Sequence, residues 1–203
     1  MKKFILRLVS LTAVFSLLLP LVGCGGSSDN DNSSDDTPAL HESYIQALSI
    51  PCTASEMTSS IVSKYETLTA SYTAAYTNDA VSVTFKRQTM GVIDENTTED
   101  DLVKEETGSA TINPDGSSDG KLGALAVSLF LRRISLTGVT EYEDTGSELT
   151  FKVKSADSKN VFGCECEYDV DVKISLTDGR INKIYLSYEA KSGNVTAECK
   201  YTY

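Results

Sequence analysis

Hydrophobic and polar positions alternate over much of the second half of the chain. Leu149, Phe151 and Val153 interleave with Glu148, Thr150, Lys152 and Lys154. Phe162, Cys164, Cys166, Tyr168, Val170, Val172, Ile174 and Leu176 alternate with mostly polar residues over a longer run. Ile184, Leu186 and Tyr188 follow, then Val195, Ala197, Cys199, Tyr201 and Tyr203. Strict alternation places one apolar face and one wet face on each strand. Thr177-Asp178-Gly179-Arg180 and Ser192-Gly193-Asn194 supply the turns between them. From Thr137 onward the pattern predicts an antiparallel meander covered on one side.

The first half is mixed. Leu40, Tyr44, Ala47 and Leu48 predict a short helix over 39–50, stopped by Pro51. Thr53 and Glu56 stand at capping-box spacing. Met57, Ile61, Tyr65, Leu68 and Tyr72 recur at three and four, which predicts an amphipathic helix. Its end is ambiguous, because Tyr72, Ala74 and Tyr76 also alternate. Asn78-Asp79 then makes a turn into Val81, Val83 and Phe85. Residues 69–77 are therefore open between helix and strand. A strand is predicted over 80–93 and a second one ending near Ile112, at the turn Asn113-Pro114-Asp115-Gly116. The acidic stretch Asp94–Glu106 forms a long hairpin loop between them. Residues 121–134, KLGALAVSLFLRRI, are the most apolar stretch outside the N-terminus. A buried helix fits them best and a core strand remains open, since periodicity does not separate short continuous apolar runs. The expected class is α+β: a curved antiparallel meander packed on one face against N-terminal and central helices.

The N-terminus has a different pattern. Lys2, Lys3 and Arg7 precede an apolar run from Leu8 to Val22 that is short for a membrane span. Leu21-Val22-Gly23-Cys24 closes it. This tetrapeptide resembles the bacterial lipobox, with Leu, Gly and Cys in the defining positions. The resemblance implies a signal peptide over 1–23, cleavage before Cys24, and diacylglycerol on the Cys24 thiol with palmitate-class acyl chains. It covers the leader alone. It implies a partner, the membrane, and a location: the cell envelope, outside the cytoplasm. Gly25, where an Asp would favour retention at the inner membrane, leans towards the outer membrane where the organism has one. Acyl chains anchor by roughly 0.8 kcal/mol per buried methylene, and a stable anchor takes more than one chain.

Residues 24–38 carry the anchor and a tether of Gly, Ser, Asn and Asp that cannot bury enough surface to order. Residues 39–203 remain as a single α+β domain, a usual domain size. The formal charge is −11, and −14 once a leader with three basic and no acidic residues is removed. That balance excludes nucleic acid as a partner, which needs a basic footprint. Lipid rather than charge must hold such a chain to a membrane.

Four further cysteines, Cys52, Cys164, Cys166 and Cys199, are possible disulfide partners, with three pairings open. They also fit as free thiols or small buried hydrophobes. Cys164-x-Cys166 lacks the two-residue spacing of redox and zinc motifs, and His41 is the chain's only histidine. No metal, cofactor or catalytic residue is therefore assigned. Asp94, Asn96, Thr98, Asp100 and Glu105 approach a calcium-loop spacing, but Glu99 stands where the turn needs Gly. Asp115, Ser117 and Asp119 form a weaker run of the same kind.

At the level of topology the body resembles bacterial lipoprotein-carrier and lipid-binding lipoproteins, whose half-barrel sheets hold an acyl chain. The resemblance implies a non-catalytic binding module for a lipid or other apolar ligand. The alternative is a structural or protein-interaction lipoprotein of the envelope without a small-molecule ligand.

Overall fold

The computed structural model describes residues 42–64, 66–91, 103–136, 139 and 141–203. Its elements in chain order are α1 (Glu42–Ser49), β1 (Ala54–Val62), β2 (Glu66–Tyr76), β3 (Val81–Gly91), β4 (Val103–Ile112) and α2 (Ala124–Phe130). Then come β5 (Tyr142–Asp144), β6 (Glu148–Val153), a 3₁₀ turn (Ser155–Asp157), α3 (Ser158–Phe162), β7 (Val170–Thr177), β8 (Arg180–Ala190) and β9 (Gly193–Thr202). The strands form one antiparallel sheet in the order β4-β3-β2-β1-β9-β8-β7-β6-β5.

That order is two meanders joined at their chain ends. β1 pairs with β9 over its whole length, from Ala54↔Thr202 to Val62↔Asn194. β4 and β5 are the two edges of the sheet. Residues 113–141 therefore connect one edge to the other, and α2 lies within that connection. Three tyrosines fasten the segment. Tyr76 donates its phenol to the Phe130 carbonyl at 2.7 Å, Tyr201 to Leu129 O at 2.6 Å, and Tyr44 to Ile134 O at 2.8 Å. Tyr76 and Tyr201 thus add side-chain donors to carbonyls at the end of α2, where Leu129 O also accepts the Arg132 amide at 3.0 Å, and Tyr44 fastens Ile134 four residues further on.

The strands carry the alternation into register. Phe85, Tyr72, Met57, Cys199, Ile184, Ile174 and Leu149 stand successively opposite one another across β3, β2, β1, β9, β8, β7 and β6. All seven are buried. The Phe85 ring also covers Gly108 on β4, where a Cβ would meet it at 2.5 Å.

Two predicted elements are corrected. Residues 53–72 form β1, a turn and the first half of β2, not a helix. The three-and-four spacing joined two inward rows, Met57 and Ile61 on β1 with Leu68 and Tyr72 on β2; Tyr65 lies outside the described residues. The intervening positions are mostly Ser and Thr, weak helix formers that suit a pleated surface. Thr53 does not cap a helix. Its amide donates to Thr202 O at 2.8 Å and so extends the β1–β9 ladder. Ser63 makes the turn by accepting the Glu66 amide at 3.0 Å and donating to Glu66 O at 2.9 Å.

The long alternating run from Phe162 also breaks. Only Val170–Thr177 is strand. Phe162 ends α3, and Gly163 caps that helix in the left-handed region at φ 72°. Cys164, Cys166 and Tyr168 lie in the coil that follows rather than on a strand's apolar face. Asp169 holds this corner, accepting from the Ser155 amide at 3.0 Å and from Lys154 at 2.9 Å. The ambiguous stretches resolve as strand for 66–76 and as a seven-residue helix within 121–134.

Candidate functional site

The inner row next to the buried one is unlike it. Ser59 on β1 stands opposite Ala70 on β2 and Ala197 on β9. Three adjacent central strands thus present small side chains at one level. Leu186 on β8 follows on one side of the row and Arg87 on β3 on the other. No large side chain from β1, β2 or β9 fills this level, and α2 does not fill it from above. Leu125, Ala126 and Leu129 face it, while Phe130 packs edge-on against Tyr72 with ring centroids 6.1 Å apart. A hollow of about 300 Å³ remains, walled by Met57, Ile61, Tyr72, Leu122, Leu186, Tyr188 and Val195.

One side of the hollow is polar, with Arg87, Glu106 and Lys121 in its lining. Arg87 sits on an inward position of β3 with its side chain only 14% exposed. Its guanidinium stacks over the Phe85 ring at 4.2 Å and donates to Lys121 O at 2.5 Å. Its ion pair with Glu106 is long, at 3.4 Å, and the glutamate side chain is 63% exposed. On the opposite side Tyr188 stacks on Tyr168 at 6.0 Å. Burial pushes the Tyr188 phenol up to about 12, with the Cys166 and Tyr168 side chains adding to it. It is therefore neutral at ordinary pH.

The four cysteines are free thiols and fall into two neighbourhoods. Cys164 and Cys166 are within hydrogen-bonding reach of each other. The Cys166 side chain holds the Cys164 thiol below its ordinary value, and Cys164 raises Cys166 in return. The Cys166 amide donates to Ser158 Oγ at 2.8 Å. Ser128 on α2 lies within reach of Cys164. At the other place, Cys52 reaches the Tyr76 hydroxyl, and Cys199 reaches Tyr201 and Ser55. Burial pushes Cys199 up to about 11. Cys52 and Cys199 are thus near a common group of hydroxyls, apart from the Cys164–Cys166 corner.

The remaining candidates do not converge. Cys24, His41, Asp94, Asn96, Thr98 and Asp100 lie outside the described residues. Asp115 makes a local turn, accepting from the Ser117 amide at 2.8 Å and its hydroxyl at 2.7 Å. Those bonds hold its carboxyl below the usual range. Glu105, Glu148 and Asp169 are lowered as well, by hydrogen bonds from Lys86, Lys173 and Lys154 respectively. These are exposed ion pairs on separate elements, not carboxylates facing one cleft. Among the described residues no group of three or more His, Cys, Asp or Glu is placed to hold a metal ion. No described helix is long and apolar enough to cross a membrane.

Sequence reasoning missed the hollow and its arginine. One signal was present: Arg87 continues the inward parity of Val81, Val83 and Phe85. The Ser59-Ala70-Ala197 row had no signal along the chain, because it exists only across three strands.

No protein-family description matches the chain, and no curated protein matches it. A solved structure described as the crystal structure of an N-terminal dehydratase from the difficidin assembly line is similar at 8% identity, with a TM-score of 0.16. The likeness covers 74% of this chain and 76% of that one. At that score it carries no functional argument.

Proposed function

We propose that this chain is a lipid-anchored extracytoplasmic protein, acylated on Cys24, that holds one apolar or amphipathic ligand without transforming it. In this reading the domain is α+β, a curved sheet whose inner face receives α1 and α2. The membrane is reached through the lipid, in the outer membrane where there is one. The observation that carries the binding function is the hollow of about 300 Å³ between α2 and the part of the sheet that carries Ser59 and Ala197. The hollow is half enclosed and opens to solvent beside Glu106 and Lys121, and apolar-lined concavities of this size are where small ligands bind.

One observation favours the structural or protein-interaction alternative. Leu129 and Phe130 are almost wholly buried, and tyrosines on the sheet hold their carbonyls. A segment so fastened is suited to a filled core that serves only as scaffold.

Two measurements test the proposal. Fractionation should find the natural chain in membranes and the Cys24→Ser chain folded in the soluble fraction; a variant that stays with membranes overturns the anchor. Native mass spectrometry of the Cys24→Ser chain, purified gently, should show one co-purifying small molecule. A bare mass, with no uptake of added amphiphiles, would favour the scaffold reading.

A further inference from the structure

We propose that the ligand is a single-chain carboxylic acid of the fatty-acid class, its chain in the hollow under α2 and its carboxylate on Arg87. This rests on the apolar-ligand reading above and adds the number of chains and the chemistry of the head group.

Size sets the number of chains. An apolar cavity of about 150 Å³ takes one benzene, six carbons. At that density the present hollow of about 300 Å³ takes about a dozen carbons. One medium-length chain fits, and two long chains do not.

Polarity sets the head group. The walls from β8 and β9, Leu186 and Val195, are aliphatic, whereas Arg87, Glu106 and Lys121 come from β3, β4 and the approach to α2. A ligand matched to this lining is apolar at one end and anionic at the other. Arg87 is held for that role from below by Phe85 and from the side by Lys121 O. A guanidinium presents five donors in a planar fork suited to a carboxylate. Glu106, one carboxylate paired with it, binds at long range from an exposed position. Exposed pairs of this kind contribute little, so a ligand carboxylate that reaches Arg87 from the apolar side displaces Glu106 into water at small cost. It then meets the guanidinium in a drier setting, where charge-assisted hydrogen bonds are stronger. The chain's net charge of −11 opposes any general attraction of anions, so selectivity for the acid must come from this local contact.

The test is calorimetric titration of the full chain carrying Cys24→Ser with dodecanoate and, separately, with dodecanol. Dodecanoate should bind one to one and at least tenfold more tightly than the alcohol. Arg87→Met should remove that preference and leave dodecanol binding in place, while Arg87→Lys should keep part of it. If Arg87→Met does not fold, Glu106→Gln serves instead: removing the competing carboxylate should tighten dodecanoate several-fold and leave dodecanol unchanged. Equal binding of acid and alcohol overturns this inference but leaves an apolar-ligand protein standing. A preference undiminished in Arg87→Met, or unaltered in Glu106→Gln, also overturns it. Binding of neither probe removes the inference together with the reading beneath it.

Discussion

Ser59 on β1 faces Ala197 on β9 at the level where the chain's two meanders meet. One step along the same strands, Met57 faces Cys199, and both are buried. The step from large to small opens space above Ser59 and Ala197. A leucine in place of Ala197 would project into that space. We expect Ala197→Leu to fold with stability unchanged or raised by up to about 1 kcal/mol, because it fills a void rather than overpacking a filled site. Binding of dodecanoate and dodecanol should both be lost. Thermal melting and titration of the same sample check the two halves of this expectation.

Tyr201 ties the C-terminal end of β9 to α2 through its 2.6 Å bond to Leu129 O. Tyr201→Phe removes one of the two donors to that carbonyl, leaves the Arg132 amide at 3.0 Å, and keeps the ring. A loss of about 0.5–1.5 kcal/mol is expected, measured by urea denaturation. Tyr185, whose side chain is on the outer face of β8, is the control. Tyr185→Phe should change stability by less than about 0.5 kcal/mol.

Alkali should weaken the fold from about pH 9 upward. Burial raises Tyr201 and Tyr44 well above the ordinary phenol value of 10.0 and moves Cys199 from 9.0 to about 11. Each of these folded-state values lies above its unfolded counterpart. Below the unfolded value the group is protonated in both states and its contribution is complete. Above it the unfolded chain loses the proton first, so stability falls as pH rises. For Cys199 the fall spans about pH 9 to 11, and for the tyrosines it begins at about pH 10. Each group contributes a slope of at most about 1.4 kcal/mol per pH unit. Denaturant midpoints from pH 7 to 11 should decline accordingly, and Cys199→Ala should lessen the decline that sets in near pH 9.

Gly193 begins β9 at φ 137°, and a Cβ there would stand 2.2 Å from Val62 O on β1. The carbonyl belongs to a paired strand and has little freedom to retreat. Gly193→Ala should cost more than about 2 kcal/mol, from backbone strain and the clash together. Gly91, at the end of β3, has open space where its Cβ would be. Gly91→Ala should be nearly neutral by the same thermal assay.

The cysteines should separate by reactivity. Cys164 and Cys166 are half-buried in coil, and Cys164 is held below the ordinary thiol value by its neighbour. Thiolate fraction and access set the rate of alkylation. In the reduced native protein iodoacetamide should label Cys164 first, with Cys52 and Cys199 protected until unfolding. Peptide mapping over a time course measures the order; equal labelling of Cys199 would contradict its burial.

What could be read along the chain was whatever repeats along it. The strands 148–153, 180–190 and 193–202 and the turn at Asp178-Gly179 follow from alternation and turn chemistry, which act between near neighbours. Cys24 stands out for the same reason, because the motif around it is contiguous. Residues 53–72 were misread because Met57, Ile61, Leu68 and Tyr72 fit a helical stripe as well as two paired inward rows. What separates these is partnership, since β1 exists where it can pair with β2 and with β9, which lies far along the sequence. Cys164 and Cys166 left the predicted strand because Gly163 ends a short helix just before them and Asp169 fastens the corner. The hollow was legible least of all. Ser59, Ala70 and Ala197 belong to three strands that meet only when the chain's ends pair, and Arg87, beside Phe85 on its own strand, acquires the rest of its setting from Glu106 and Lys121 on other segments. Periodicity selects which face a side chain occupies, but the space beside it depends on side chains that register, and not sequence order, places opposite.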